Sequence, residues 1–148
     1  MKKKLLIKQK LVNHITLNGK KHTGEKNLLK SIKNIQKALK KRSQEILKTG
    51  LIQTSPIFKV HKFTKKKRKK KSIREVPAFL KSVALRTSLA IKLMVQACKK
   101  QKINEFSNKL KEELLLSSKN NSNSIELKNK LQEQALSKKH LLKFYKWN

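Results

Sequence analysis

Basic side chains outnumber acidic ones five to one in this chain, and that imbalance restricts its folding more than any other feature. Forty lysines and arginines face eight glutamates and no aspartate, a formal net charge of +32 over 148 residues. A charge this far from zero repels itself in any compact state, so the native fold requires a polyanion to neutralise it. Thermophile surfaces are also rich in lysine, but they intersperse both signs; no such matching exists here. Arginine occurs only at Arg42, Arg68, Arg74 and Arg86. Lysine acts as a point charge on phosphate and carries little sequence information, so the expected partner surface is a nucleic-acid backbone.

Only 36% of the residues are hydrophobic, yet they recur periodically. A chain of this length can bury roughly 70% of its unfolded surface, enough for one thin core. Leu11, Val12, Ile15 and Leu17 form one side of a short first helix that Asn18-Gly19 stops. Lys20 to Gly24 reads as a basic turn. Leu28, Ile32, Ile35 and Leu39 make the buried stripe of a second helix. A weaker third covers roughly Gln44 to Gln53, and Ser55-Pro56 breaks it.

Ile57 to Lys62 and Ser72 to Val76 alternate as strands, the second ending before Pro77. Between them lie Lys65, Lys66, Lys67, Arg68, Lys69, Lys70 and Lys71. Two strands around a cationic tip predict a β-hairpin arm at about 57–77, projecting roughly 25 Å. Val83 to Ala97 is apolar almost all round, the pattern of a central buried helix. Ile103, Phe106, Leu110 and Leu114 mark a fifth helix, Asn120 to Ser124 a polar loop, and Ile125 to Leu142 a last helix, followed by Phe144 to Trp147. The expected fold is mainly α, a single domain over 1–148 of six helices with one extended β-hairpin arm.

Nothing in the pattern points to catalysis. The three glycines stand apart at Gly19, Gly24 and Gly50, so no phosphate loop is present. His14, His22, His61 and His140 lack metal-ligand spacing, and no cofactor is expected. Glu112 and Glu113, neighbours on a helix, are expected to pair with Lys109 or Lys111 at the surface. Cys98, the lone cysteine, sits in an apolar run as a small buried hydrophobe. Phe58 and Phe63 are placed either to stack on bases or to pack at the strand root; Tyr145 and Trp147 are expected to dock on the core.

No apolar stretch is long enough to span a bilayer. The opening, Met1 to Lys8, resembles a signal n-region, but Lys8 ends the apolar run after three residues, and the arginine and serine of a transit peptide are lacking. A chain made where it works, or one whose leader is gone, is expected. Two other classes compete with RNA binding. A nuclear or chromatin-type basic nucleic-acid-binding protein would share the lysine excess, though such proteins usually carry long disordered tails. A membrane-active cationic helix fits only Leu5, Leu6 and Ile7 among lysines.

A series of short motifs, in order along the chain, resembles the small-subunit ribosomal protein seven family. Leu11-Val12-Asn13, Asn18-Gly19-Lys20-Lys21 and Glu25-Lys26 resemble its opening, and Pro56 with Phe58-Lys59-Val60 its entry into the arm. Glu75-Val76-Pro77 is similar to the return strand's Gln-Val-Pro, and Ser88-Leu89-Ala90-Ile91-Lys92 to the central helix's Ala-Leu-Ala-Ile-Arg. Leu110 to Leu115 resembles Leu-Ala-Asn-Glu-Leu-Leu, and Phe144-Tyr145-Lys146-Trp147 resembles His-Tyr-Arg-Trp.

The resemblance implies a six-helix bundle with a hairpin. It also implies docking on the three-prime domain of small-subunit rRNA, in the subunit head, beside other head proteins. The arm would lie near the exit-site tRNA and the mRNA. The RNA contacts it carries over are Lys20 and Lys21, the arm's Lys59, Lys62 and Arg74, and Arg86 and Lys92 about the central helix. The run from Lys65 to Lys71 replaces the family's Arg-rich Val-Gly-Gly tip, and the basic tail before the first helix is nearly absent. A lysine-rich, Asp-free, Gly-poor composition suggests AT-biased coding and an organelle-encoded mitochondrial ribosomal protein, with a plastid or a bacterial cytoplasm as alternatives.

Overall fold

A computed structural model describes the backbone of residues 2–39, 43–67, 70–103 and 105–144, and the side chains of these except 2–6, 39, 65–67, 70–72 and 144. Helix α1 (Lys2–Ile15) is followed by a reversal in which Asn18 and Gly19 both have positive φ, 51° and 74°. Glycine adopts that region without steric cost and asparagine tolerates it, so this dipeptide lets the chain turn back. Leu17, expected on the buried side of the first helix, lies beyond its end and is 60% exposed. Helix α2 (Lys21–Leu39) begins at once, so most of the basic stretch read as a turn is helical instead. The Gly24 amide already donates to the Lys20 carbonyl at 3.3 Å.

Helix α3 (Ser43–Thr54) leads into the arm, whose strands β1 (Phe58–Lys67) and β2 (Lys70–Phe79) pair antiparallel from Phe58–Phe79 out to Lys67–Lys70. Ten residues per strand span about 33 Å, beyond the roughly 25 Å expected. The extension comes from both ends. Lys65 to Lys67, Lys70 and Lys71 are strand rather than tip, while Arg68 and Lys69 lie outside the described residues. Pro77 does not end the return strand but sits within it, opposite Val60. The Leu80 amide donates to the Ile57 carbonyl at 2.9 Å. Hydrogen-bonded pairs alternate from there, so the Val60–Pro77 pair falls between them and the missing N–H costs no ladder bond.

Helix α4 (Val83–Lys100) is central only along its second half. Ala90, Ile91, Met94, Ala97 and Cys98 are fully buried, whereas Val83 and Leu85 are exposed, contrary to the all-round burial expected. Helices α5 (Phe106–Ser118) and α6 (Asn123–Ser137) complete the bundle. The single last helix expected to reach Leu142 breaks at Lys138, and a 3-10 helix (Lys139–Phe144) follows. At this break the Lys138 ammonium reaches Glu75 on β2, and the 3-10 helix that follows packs on the arm. Tyr145 and Trp147 lie outside the described residues.

The core joins Leu11 of α1, Ile35 of α2, Leu51 of α3, Ile91 and Met94 of α4, and Leu110 and Leu114 of α5. Helices α3 and α5 approach closely at Gly50, where an added Cβ would stand 2.5 Å from the Ser117 hydroxyl.

Candidate nucleic-acid interface

Helix α4 buries one side and offers the other. Lys92, Gln96, Lys99 and Lys100 are exposed and recur at the helical spacing, turned away from the buried Ile91, Met94 and Cys98. Helix α1 lies beside α4 in the same direction. The Lys10 ammonium donates to the Ala84 carbonyl at 3.2 Å, and one helical turn on, His14 Nε2 meets the Ser88 hydroxyl at 3.0 Å. Neither helix contains a carboxylate. From Ala84 near the arm's root to Lys99 near the Asn18-Gly19 turn, α4 runs about 22 Å, with α1 beside its first part.

The residues singled out from the sequence fall along this path and beyond it. Lys20 and Lys21 are exposed at its far end, Lys21 standing 3.9 Å from Glu25. Lys92 is exposed midway. Arg86 is half-buried, and its Nε donates to the Leu80 carbonyl at 2.7 Å, so it also pins the arm's root to α4. On the arm the strand period divides the candidates: Lys59 and Arg74 share a face with Phe63, while Lys62 is on the other. There Lys62 lies 3.4 Å from Glu75, which also pairs with Lys138. These two cations, Lys138 first, hold the Glu75 carboxyl below its ordinary value. Partial burial, with a contribution from Lys59, holds His61 below its ordinary value. The side chains of Lys65, Lys66, Lys67, Lys70 and Lys71, with the whole of Arg68 and Lys69, lie outside the described residues.

Phe58 packs on Phe79 with ring centroids 4.6 Å apart, at the arm's root, whereas Phe63 is 46% exposed. Sequence reasoning missed Lys10, Lys99 and Lys100. The absence of any acid from residues 76–104, together with the spacing of 92, 96 and 99, was the available signal.

The carboxylates collect elsewhere. Residues 105–137 hold five glutamates and five lysines, hence no net charge, and the rest of the chain carries the whole +32. Glu113, expected at the surface beside a lysine, is instead fully buried. Its carboxylate accepts from Gln101 Nε2 at 3.0 Å and from the Ser124 amide at 2.9 Å. An unpaired charge survives burial only when hydrogen-bonded, and the first turn of α6 supplies a donor with a favourable dipole. Burial, and then the Glu113 charge, push the Cys98 thiol up to about 12, which keeps it protonated and inert at neutral pH. Among the described residues no group of His, Cys or Glu could hold a metal ion, and no helix is long and apolar enough to cross a membrane.

The family model described as Ribosomal protein S7p/S5e matches residues 1–139. Small ribosomal subunit protein uS7c of Euglena gracilis is 32% identical over 126 residues, which cover 85% of this chain and 78% of that protein. Protein uS7c of Tetradesmus obliquus is 26% identical over 84% of this chain and 72% of its own length. Small ribosomal subunit protein uS7 of Wigglesworthia glossinidia brevipalpis is 27% identical over 95% and 86%. A charged, hairpin-bearing helical bundle matched along nearly its whole length in this way belongs to the Ribosomal protein S7p/S5e family.

Proposed function

We propose that this chain is a non-enzymatic structural constituent of the small ribosomal subunit head, bound to the three-prime domain of small-subunit rRNA. The acid-free α1–α4 side and the arm face the RNA, and the segment of residues 105–137, apart from the start of α5 at Phe106, faces away from it. The observation that carries this reading is the separation of charge, because α1 and α4 offer lysines over about 22 Å with no carboxylate of their own, which suits a polyanion. Lys20, Lys21, Arg86 and Lys92 position the body on phosphates. Lys59, Lys62, Arg74 and the run from Lys65 to Lys71 extend the contact along the arm, toward the exit-site tRNA and the mRNA. Lysine between phosphate backbones that would otherwise repel one another lets a folded RNA junction close.

The relatives named above are of chloroplast and bacterial type. They support an organellar or bacterial ribosome and lend no support to a mitochondrial one in particular. As a family member the chain fits neither the chromatin-type nor the membrane-active alternative.

Binding to a three-prime-domain rRNA fragment, measured across salt, tests the proposal. With six to ten phosphate contacts, affinity is expected to fall by about a thousandfold or more between 50 and 200 mM salt. A flat response would remove the backbone mechanism. Replacing Lys65 to Lys71 with serine is expected to weaken binding and leave the far-UV helical signal unchanged.

A further inference from the structure

Where the Asn18-Gly19 turn meets α4 and the start of α5, the surface opens into a cleft of about 310 Å³. Ile15, Leu17, Val95 and Phe106 line it with apolar surface, Ile15 and Val95 being buried. Lys20 and Lys99 stand at it from α1–α2 and α4, and Thr23 and Asn27 of α2 add polar groups. No carboxylate lines it. The two nearest in sequence are Glu25, 3.9 Å from the Lys21 ammonium, and Glu105, engaged by the Lys30 ammonium and by Asn108 Nδ2 at 3.1 Å.

We infer that this cleft receives one unpaired nucleobase of the bound RNA, with the flanking phosphates on Lys20 and Lys99. The inference rests on the RNA-binding reading above and adds a base-sized site to a surface otherwise made for backbone. An apolar slot with a half-buried aromatic wall suits the faces of a base, and polar side chains at its edge suit the base's donors and acceptors. The two lysines discriminate among occupants. An apolar side chain from a protein would leave both cations unmatched, whereas an extruded nucleotide brings its own negative charge on either side. Leu17 supports the same occupant. It is 60% exposed at the lip, outside any helix, in a turn that needs positive φ at two successive residues to hold it there.

The test uses the full chain and a three-prime-domain rRNA fragment, comparing wild type with Leu17→Ser, Thr23→Trp, Phe106→Leu and Lys99→Gln. Leu17 and Thr23 are exposed, so those two variants do not depend on core packing. Both, and Phe106→Leu where it folds, are expected to lose about tenfold in affinity with the salt slope unchanged, as for a lost stacking contact. Lys99→Gln is expected to lower the slope by about 0.7–0.9, as for one lost phosphate. If wild type binds RNA and the Leu17 and Thr23 variants bind equally well, the cleft holds no base and the inference fails alone. If wild type shows no salt-dependent RNA binding, the broader reading fails first. Unchanged affinity for naked RNA with impaired incorporation into subunits would identify a protein occupant and overturn the inference.

Discussion

The α1–α4 side and the α5–α6 segment are built from the same residue types and solve opposite problems. In residues 105–137 each positive charge has a negative counterpart, and one carboxylate is spent inside, where Glu113 ties the end of α4 and the start of α6 to α5. Helices α1 and α4 have no carboxylate, so apolar packing and the hydrogen bonds from Lys10 to Ala84 and between His14 and Ser88 oppose the mutual repulsion of their lysines. One region is complete as a piece of protein. Under the proposed RNA binding the other is complete only against phosphate, and stability and binding then belong to separate faces of one small core.

Charge reversal breaks or confirms this division with the largest effect. Lys10, Lys92 and Lys99 replaced together by glutamate are expected to weaken RNA binding by at least about a hundredfold at 100 mM salt, through lost counterion release and new repulsion. The same triple change at Lys111, Lys119 and Lys130 in the neutral segment is expected to cost less than about threefold. Equal losses in a binding titration would mean that RNA wraps both faces.

A smaller effect, on stability, is expected from the neutral side. Glu113→Leu leaves the Gln101 amide and the Ser124 N–H without their acceptor, and each orphaned buried donor costs about 1–3 kcal/mol. Urea melts should therefore show a loss of roughly 2–4 kcal/mol, while the folded fraction binds RNA as before. Glu113→Gln, which keeps the volume and one acceptor, should recover about half. A steep loss of affinity on Glu113→Leu, with the fold intact, would show that the two faces are coupled.

What could be read from residues alone follows from which interactions are local. Helix existence was legible because Leu28, Ile32 and Ile35, or Leu110 and Leu114, repeat at the helical period, and the arm because alternation flanks the lysine run. Boundaries set by distant contacts were not. The break at Lys138 falls where that side chain meets Glu75, far away in sequence, and the continuation of β2 through Pro77 depends on which pairs are hydrogen-bonded. Glu113 was misplaced because a Lys-Glu-Glu sequence advertises an exposed ion pair, and nothing local announces donors from Gln101 and Ser124. For the interface, the charge excess was plain but its distribution was not: Lys92 belongs to a face with Lys99 and Lys100 that exists only once α4 has chosen its buried side.

The smallest expected effect lies where the arm meets the body. Glu75 is the only carboxylate between Glu45 and Glu105, and from β2 it links to β1 through Lys62 and to the C-cap of α6 through Lys138. Because those cations lower its folded pKa below the ordinary 4.5, their contribution is fully present above that value and is lost as pH falls through the depressed folded one. Between pH 7 and pH 5 the arm's docking should therefore not change. Below about 4.5, amide exchange at Val76 and Ala78, both buried at the root, should quicken while the helical signal of the bundle stays flat. Glu75→Gln should abolish that dependence and exchange at the faster rate at every pH. Were the root to loosen between pH 7 and 5 instead, the controlling group would be His61, whose own pKa lies below 6.5, and the arm would be anchored by its β-ladder side rather than by the lone carboxylate.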